Sequence, residues 1–332
     1  MSNADALASP AGCADNAQSS LLLDREEYTF PFESYDEWLR FMDEAPDPAW
    51  QAAAMRNVVS RNEFERYTAG ETVSAERFVY LSDGLRIRGL KFEPRDPQGC
   101  RPVIVYAHGG VGRWSRLTTV DVLEIYRLVE QGYIVVVSMR RGEGGSEGQA
   151  NTGPGDLADM LTLLDVIDTL PNADSRRIAY LGFSRGAALG FRVLANTDRF
   201  RAAVMLGAPT DSLTSKRRAE FDEFVYPDTI IDYEKDKDAA LRSLSALYWP
   251  ERIDPSVALL LLHGTEDERV EASDSLELAA KLSDLGRKVA LKLYEDGSHS
   301  LIENRSDVRA ETDAWLVRHL RPMSNGNAAA GE

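Results

Sequence analysis

Cysteine is almost missing from this chain. Only Cys13 and Cys100 occur in 332 residues, and neither belongs to a C-x-x-C. A disulfide framework is thereby excluded, and a reducing, cytoplasmic setting is expected. Long apolar runs are missing too. Apolar residues make up 43% of the chain, enough for a folded core, yet no stretch approaches the roughly 18 that a spanning helix needs. The start, MSNADALASPAGCADNAQSS, has no basic residue and no apolar segment, so no signal peptide is expected. Positive charge is scarce: 38 Lys and Arg stand against 54 Asp and Glu, a net charge of −16. Such a chain repels phosphate backbones and anionic lipid, so neither nucleic acid nor membrane is an expected partner. Only four histidines occur, His108, His263, His299 and His319, with no H-x-x-x-H. No metal site and no cofactor are expected. The glycine-rich stretch 142–148 misses G-x-G-x-x-G at Glu147 and has no Walker lysine, which sets nucleotide binding aside. No signal for an oligomeric state is present.

Strand and helix signals alternate through most of the rest. Residues 1–23 and 322–332 are small and polar and read as disordered tails. Residues 24–76 read as a helical N-terminal extension. Ser34-Tyr35-Asp36-Glu37 is a capping-box signature, Pro46 and Pro48 break the first helix, and a second helix is expected through WQAAAMRNVVSRNEFERY. From Arg77, two strands are expected around the turn Asp83-Gly84. Six apolar runs follow, VIVYAHG, YIVVVSM, RIAYLGFS, AAVMLGAP, VALLLLHG and VALKLYEDG, with helical segments near 117–131, 155–169, 186–195, 272–285 and 307–320. Continuous apolar runs suit strands buried on both faces. The alternation predicts an α/β fold over 77–321, with a mostly parallel central sheet and helices on both sides. Residues 211–250 interrupt the alternation and read as a cap insertion over the sheet's C-terminal edge.

One short motif raises a chemical question. Gly182-Phe183-Ser184-Arg185-Gly186 is G-x-S-x-G, which chance places in about one chain of this length in ten. Here it follows a strand and opens a helix, the setting of a nucleophile elbow. A serine hydroxyl needs a base, the base needs a carboxylate, and the tetrahedral intermediate needs N–H donors. His299 follows the last strand and is the candidate base. Asp267 follows the strand before it and is the candidate acid, with Glu266 and Asp211 as rivals. His319 reads as a helix-end histidine and His108 as a loop-shaping one. The order Ser184, Asp267, His299 is that of α/β-hydrolases. The Arg185 N–H is one candidate donor. His108-Gly109-Gly110, of the H-G-G type, offers Gly109 as the second, with Gly110 the close alternative. Trp114, Phe183, Phe224, Tyr226 and Tyr248 are candidate pocket walls. An arginine at 185 would bind a substrate carboxylate or pair with an acidic cap residue such as Glu220.

Together YAHGG, MRRGEGGSEG, LGFSRG, LLHGTEDERV and YEDGSHS resemble α/β hydrolases of the prolyl oligopeptidase and dienelactone hydrolase type, over roughly residues 77–320. The resemblance implies an α/β-hydrolase fold, a glycine-rich loop 141–146 bordering the site, a triad aspartate at Asp267 and a triad histidine at His299. Three features depart from relatives. A propeller of at least four blades of about 40 residues does not fit ahead of residue 77. Arg185 and Ala187 stand where relatives often have Tyr or Gly and a second Gly. The segment before the elbow lacks the acidic pair that anchors a peptide's amino terminus. The expectation is a serine hydrolase of small esters or amides, esters favoured. A peptidase or aminoacyl hydrolase is the alternative, and a non-catalytic binding protein a further one.

Overall fold

The computed structural model describes residues 21–45, 51–111 and 115–321. Along the chain, strand β1 (Leu22–Glu27) precedes helices α1 (Tyr35–Met42), α2 (Ala52–Val58) and α3 (Arg61–Thr68). Strands β2 (Val73–Ser82), β3 (Leu85–Pro94) and β4 (Arg101–Ala107) follow. Then come α4 (Thr119–Glu130), β5 (Ile134–Ser138), α5 (Pro154–Ile167), β6 (Ala173–Phe183), α6 (Arg185–Leu194) and β7 (Phe200–Leu206). The insertion contributes α7 (Arg218–Phe224), α8 (Tyr226–Thr229) and α9 (Lys237–Leu244). The chain closes with β8 (Ala258–Gly264), α10 (Ala272–Asp284), β9 (Val289–Tyr294) and α11 (Arg305–Leu320).

Nine strands form one sheet in the order β1-β2-β3-β5-β4-β6-β7-β8-β9. β1, β2, β3 and β5 pair antiparallel, and every pair from β5 to β9 is parallel. Asp83 and Gly84, both at positive φ (50° and 79°), make the hairpin turn between β2 and β3. The central strands are buried on both faces. Val103 and Val105 pack with α5 and α6, whereas Ile104 and Tyr106 pack with α4 and α11. This two-faced burial explains why the strand sequences read as unbroken apolar runs.

The N-terminal region differs from its sequence reading. Leu22–Glu27 is an edge strand antiparallel to β2, so it belongs neither to a tail nor to a helical extension. Its LLDREE is almost wholly exposed and carries no alternation; backbone pairing and exposed ion pairs of Asp24, Arg25 and Glu26 with Arg86, Glu76 and Arg77 hold it, which leaves no periodic sequence signal. The expected second helix is two helices. Ser60 forms a capping box with Glu63 and restarts the chain after Val59. The proposed breakers Pro46 and Pro48 and most of both tails lie outside the described residues. Buried Cys100 is disulfide-bonded, its partner also outside the described residues. The disulfide on Cys100 gives no support to the expected reducing setting. No helix among the described residues is long and apolar enough to cross a membrane.

The N-terminal helices are part of the main core. Trp38 is fully buried, stacks on Phe64 at 5.5 Å and donates from Nε1 to Thr119 Oγ1 at 2.9 Å. That bond joins α1 to the start of α4. Trp38→Ala is therefore expected to lower the stability of the whole domain by about 3–5 kcal/mol in one cooperative denaturant transition. A separate early transition of the N-terminal helices would contradict a shared core.

Candidate active site

The parallel strands β6, β7, β8 and β9 all end at one edge of the sheet, where the candidate residues meet. Ser184 lies between β6 and α6 at φ 53° and ψ −121°. A β-carbon-bearing residue rarely takes such a backbone. Its neighbours permit it. A Cβ on Gly186 would stand 2.0 Å from the Ala107 carbonyl oxygen, and one on Gly182 2.8 Å from the Ala187 backbone. The Ser184 N–H donates to the Leu206 carbonyl at 2.8 Å, pinning the turn to β7.

His299 follows β9. Its Nε2 lies 3.0 Å from Ser184 Oγ, and its Nδ1 lies 2.7 Å from Asp267 Oδ2. A carboxylate cannot donate, so Nδ1–H donates to Asp267 and Nε2 is left to accept from the serine hydroxyl. The Phe183 ring packs on the imidazole with centroids 5.0 Å apart. Gly207, at φ 52°, gives it room: a Cβ there would come within 3.2 Å of Nδ1. Asp267 is enclosed in the loop after β8. Its Oδ1 accepts from the Arg269 and Val270 backbone N–H groups at 2.8 and 2.9 Å. Burial pushes its carboxyl up, but hydrogen bonds from His263 and His299 outweigh burial and hold it well below the usual carboxylate range.

The rival acids are engaged elsewhere. Glu266 is exposed. Asp211 accepts from the N–H groups of Leu213 and Thr214 and from Tyr248 Oη at 3.0 Å. His319 packs against Trp315 on α11, with centroids 4.5 Å apart. His108 is buried beside Arg140; burial, then the Arg140 charge, holds its imidazole well below the usual value and therefore neutral. Its Nδ1 lies 3.0 Å from the Gly109 carbonyl. Gly109 comes so close to the elbow that a Cβ there would meet Ser184 Cβ at 3.3 Å. Gly110 takes φ 85°.

Arg185 does not play the part read from its position. Its guanidinium is buried and bonds Glu143 at 2.7 Å, Ser115 Oγ at 3.2 Å, Asp156 at 3.3 Å and the Gly110 carbonyl at 3.4 Å. Glu143 also binds Arg140 at 2.9 Å, and Asp156 binds Arg192 at 2.8 Å. Buried carboxylates demand cations, and this demand takes Arg185 away from substrate and from Glu220, which pairs with Arg217. Burial pushes the Glu143 carboxyl up, but Arg140 and Arg185 hold it below its ordinary value. The network braces the loop that carries Gly109 and Gly110.

Above the edge, the insertion packs around its own small core of Leu213, Ile230, Tyr233 and Leu241. Between it and Ser184 lies a cleft of about 1030 Å³, walled by Phe183 and Val270 below and by Phe221, Phe224 and Tyr226 above. Phe224 is 67% exposed at its mouth. Tyr248 turns into the insertion's core, and Trp114 lies outside the described residues.

Residues 118–322 match the prolyl oligopeptidase family. The chain belongs to that family. It is a serine hydrolase with an α/β-hydrolase fold. It is 27% identical over 254 residues to the uncharacterized peptidase YtmA of Bacillus subtilis, covering 71% of this chain and 91% of that one. It is 26% identical to the acylamino-acid-releasing enzyme of Rattus norvegicus, over 66% of this chain and 31% of the relative. The acylaminoacyl peptidase of Pyrococcus horikoshii superposes with a TM-score of 0.66 at 25% identity, over 79% of this chain and 44% of the other. An esterase of Pyrococcus furiosus shares the fold, with a TM-score of 0.57 at 20% identity over 73% of this chain and 89% of its own. The family member thus spans nearly all of YtmA and less than half of the larger peptidases. Most of the named relatives are peptidases, so the expected preference for esters over peptides gains no support from them.

Two contacts at the site escaped the sequence reading, the Arg140–Glu143–Arg185 network and His263 beside Asp267. For the network, Glu143→Gln is expected to leave two buried guanidiniums undercompensated and to cost about 3–5 kcal/mol of stability by chemical denaturation. A cost below about 1 kcal/mol, the range of exposed ion pairs, would show that the network is not a brace.

Proposed function

We propose that the protein hydrolyses small ester or amide substrates through an acyl-enzyme on Ser184. The carrying observation is the line Ser184 Oγ, His299, Asp267, with gaps of 3.0 and 2.7 Å at one sheet edge. His299 takes the proton from Ser184 Oγ as the hydroxyl attacks the carbonyl carbon. Asp267 holds the tautomer and stabilises the imidazolium. The N–H of Arg185, free at the start of α6, and that of Gly109 receive the oxyanion, with Gly110 the alternative to Gly109. His299 then protonates the leaving alcohol or amine. Water, deprotonated by the same imidazole, releases the acid and restores the serine. Phe183, Phe224 and Tyr226 offer apolar contact to the substrate.

The amide reading draws on the relatives named as peptidases and on a cleft open enough for a short peptide. Rates on matched aminoacyl esters and anilides decide the preference. The proposal itself is tested by intact-mass spectrometry after treatment with a fluorophosphonate. One adduct is expected on the wild type and none on Ser184→Ala. Asp267→Asn is expected to label about 10⁴-fold more slowly, as loss of the correct tautomer does in other triads. An adduct that persists in Ser184→Ala would overturn the assignment.

A further inference from the structure

His263, next to last in β8, has no exposed surface, and the reaction above leaves it unused. Its ring touches three groups. Nε2 lies 3.0 Å from the Val270 carbonyl and 3.1 Å from Asp267 Oδ2, and Nδ1 lies 2.7 Å from Ser275 Oγ on α10. Carbonyl and carboxylate oxygens only accept. Nε2 must therefore carry a proton, and in the neutral ring Nδ1 accepts from the Ser275 hydroxyl. Ser275 is itself fully buried.

The tautomer completes the environment of Asp267. A carboxylate has about four acceptor positions. Oδ1 receives the N–H groups of Arg269 and Val270. Oδ2 receives His299 Nδ1 and faces His263 Nε2. His263 also ties Val270 from the opposite side, through its carbonyl. Asp274 on α10 is also near His263; its carboxyl is pushed up to about 6 by burial, against hydrogen bonds from the Thr210 and Asp211 N–H groups.

We infer that His263 is a positioning residue for the reaction: its Nε2–H, fixed by Ser275, holds Asp267 Oδ2 in line with His299. The inference rests on the acyl-enzyme reading. Without the Nε2–H donor, Asp267 keeps the Arg269 and Val270 N–H groups on Oδ1 but loses the second donor that fixes Oδ2, so its line to His299 is held less firmly and its charge is shared with one donor fewer, which favours the His299 imidazolium. Gln at 263 returns an N–H to nearly the same point; Leu does not.

The test follows the rate of fluorophosphonate labelling against pH, which needs no known substrate. His263→Leu is expected to label about tenfold more slowly at the optimum, the worth of one hydrogen bond. The acid limb of its profile should move up by about half to one pH unit. His263→Gln should stay within about threefold of the wild type. An unmoved acid limb in a folded His263→Leu, with only a lower melting temperature, would reduce His263 to packing and overturn the inference. Should His263→Leu not fold, the ¹⁵N imidazole spectrum of the wild type decides. The Nε2–H tautomer supports the inference, and the Nδ1–H tautomer overturns it, because Nε2 would then face the carboxylate as an acceptor. A wild type that takes no label at all would instead refute the acyl-enzyme reading.

Discussion

The site depends first on the backbone of Ser184. At φ 53° and ψ −121° the residue sits where side chains are disfavoured by about 1–3 kcal/mol. Packing imposes that conformation. β6 must end and α6 must begin within one residue, and α6 presses so closely on β4 that only glycine fits at 186. The strain lifts the hydroxyl out of the strand toward His299. It also leaves the Arg185 N–H at the open end of a helix, where the backbone dipoles add positive potential.

The surrounding groups keep that arrangement from moving. The loops after β8 and β9 are joined by the Thr265 N–H to the Tyr294 carbonyl at 2.9 Å and the Glu266 N–H to the Gly297 carbonyl at 3.0 Å. Asp267 and His299 are thus carried by two crosslinked loops. On the opposite side of Ser184, the buried chain of Arg140, Glu143, Arg185, Asp156 and Arg192 stiffens the glycine loop and the start of α6. Charge that seemed available to substrate from the sequence is spent inside the protein, and the cleft is left with a mostly apolar wall near the serine.

Much of this was legible before any coordinates. The parallel strands declared themselves as short apolar runs because both faces are covered. That Ser184, Asp267 and His299 lie together is legible because strand ends in an open parallel sheet share one edge. What was hidden depends on contacts across the chain. β1 is held by backbone bonds and exposed ion pairs that leave no alternating side-chain pattern. The sequence assigns Arg185 to a substrate carboxylate or to an acidic cap residue such as Glu220, because nothing local reveals Glu143 and Asp156, 42 and 29 residues earlier, in its surroundings. His263 looked like the end of a buried strand, which it is. Its place beside Asp267 had one signal, the four-residue spacing within His263-Gly264-Thr265-Glu266-Asp267, and that spacing has meaning only once the loop is known to fold back.

The central claim is that a strained, histidine-activated Ser184 forms a covalent acyl intermediate. Pre-steady-state hydrolysis of an activated p-nitrophenyl ester measures this most directly. The account predicts a burst of nitrophenol equal to the enzyme present, followed by slower steady release. Turnover with linear release from the first milliseconds and no trappable acyl adduct, at every chain length of ester tried, would contradict it.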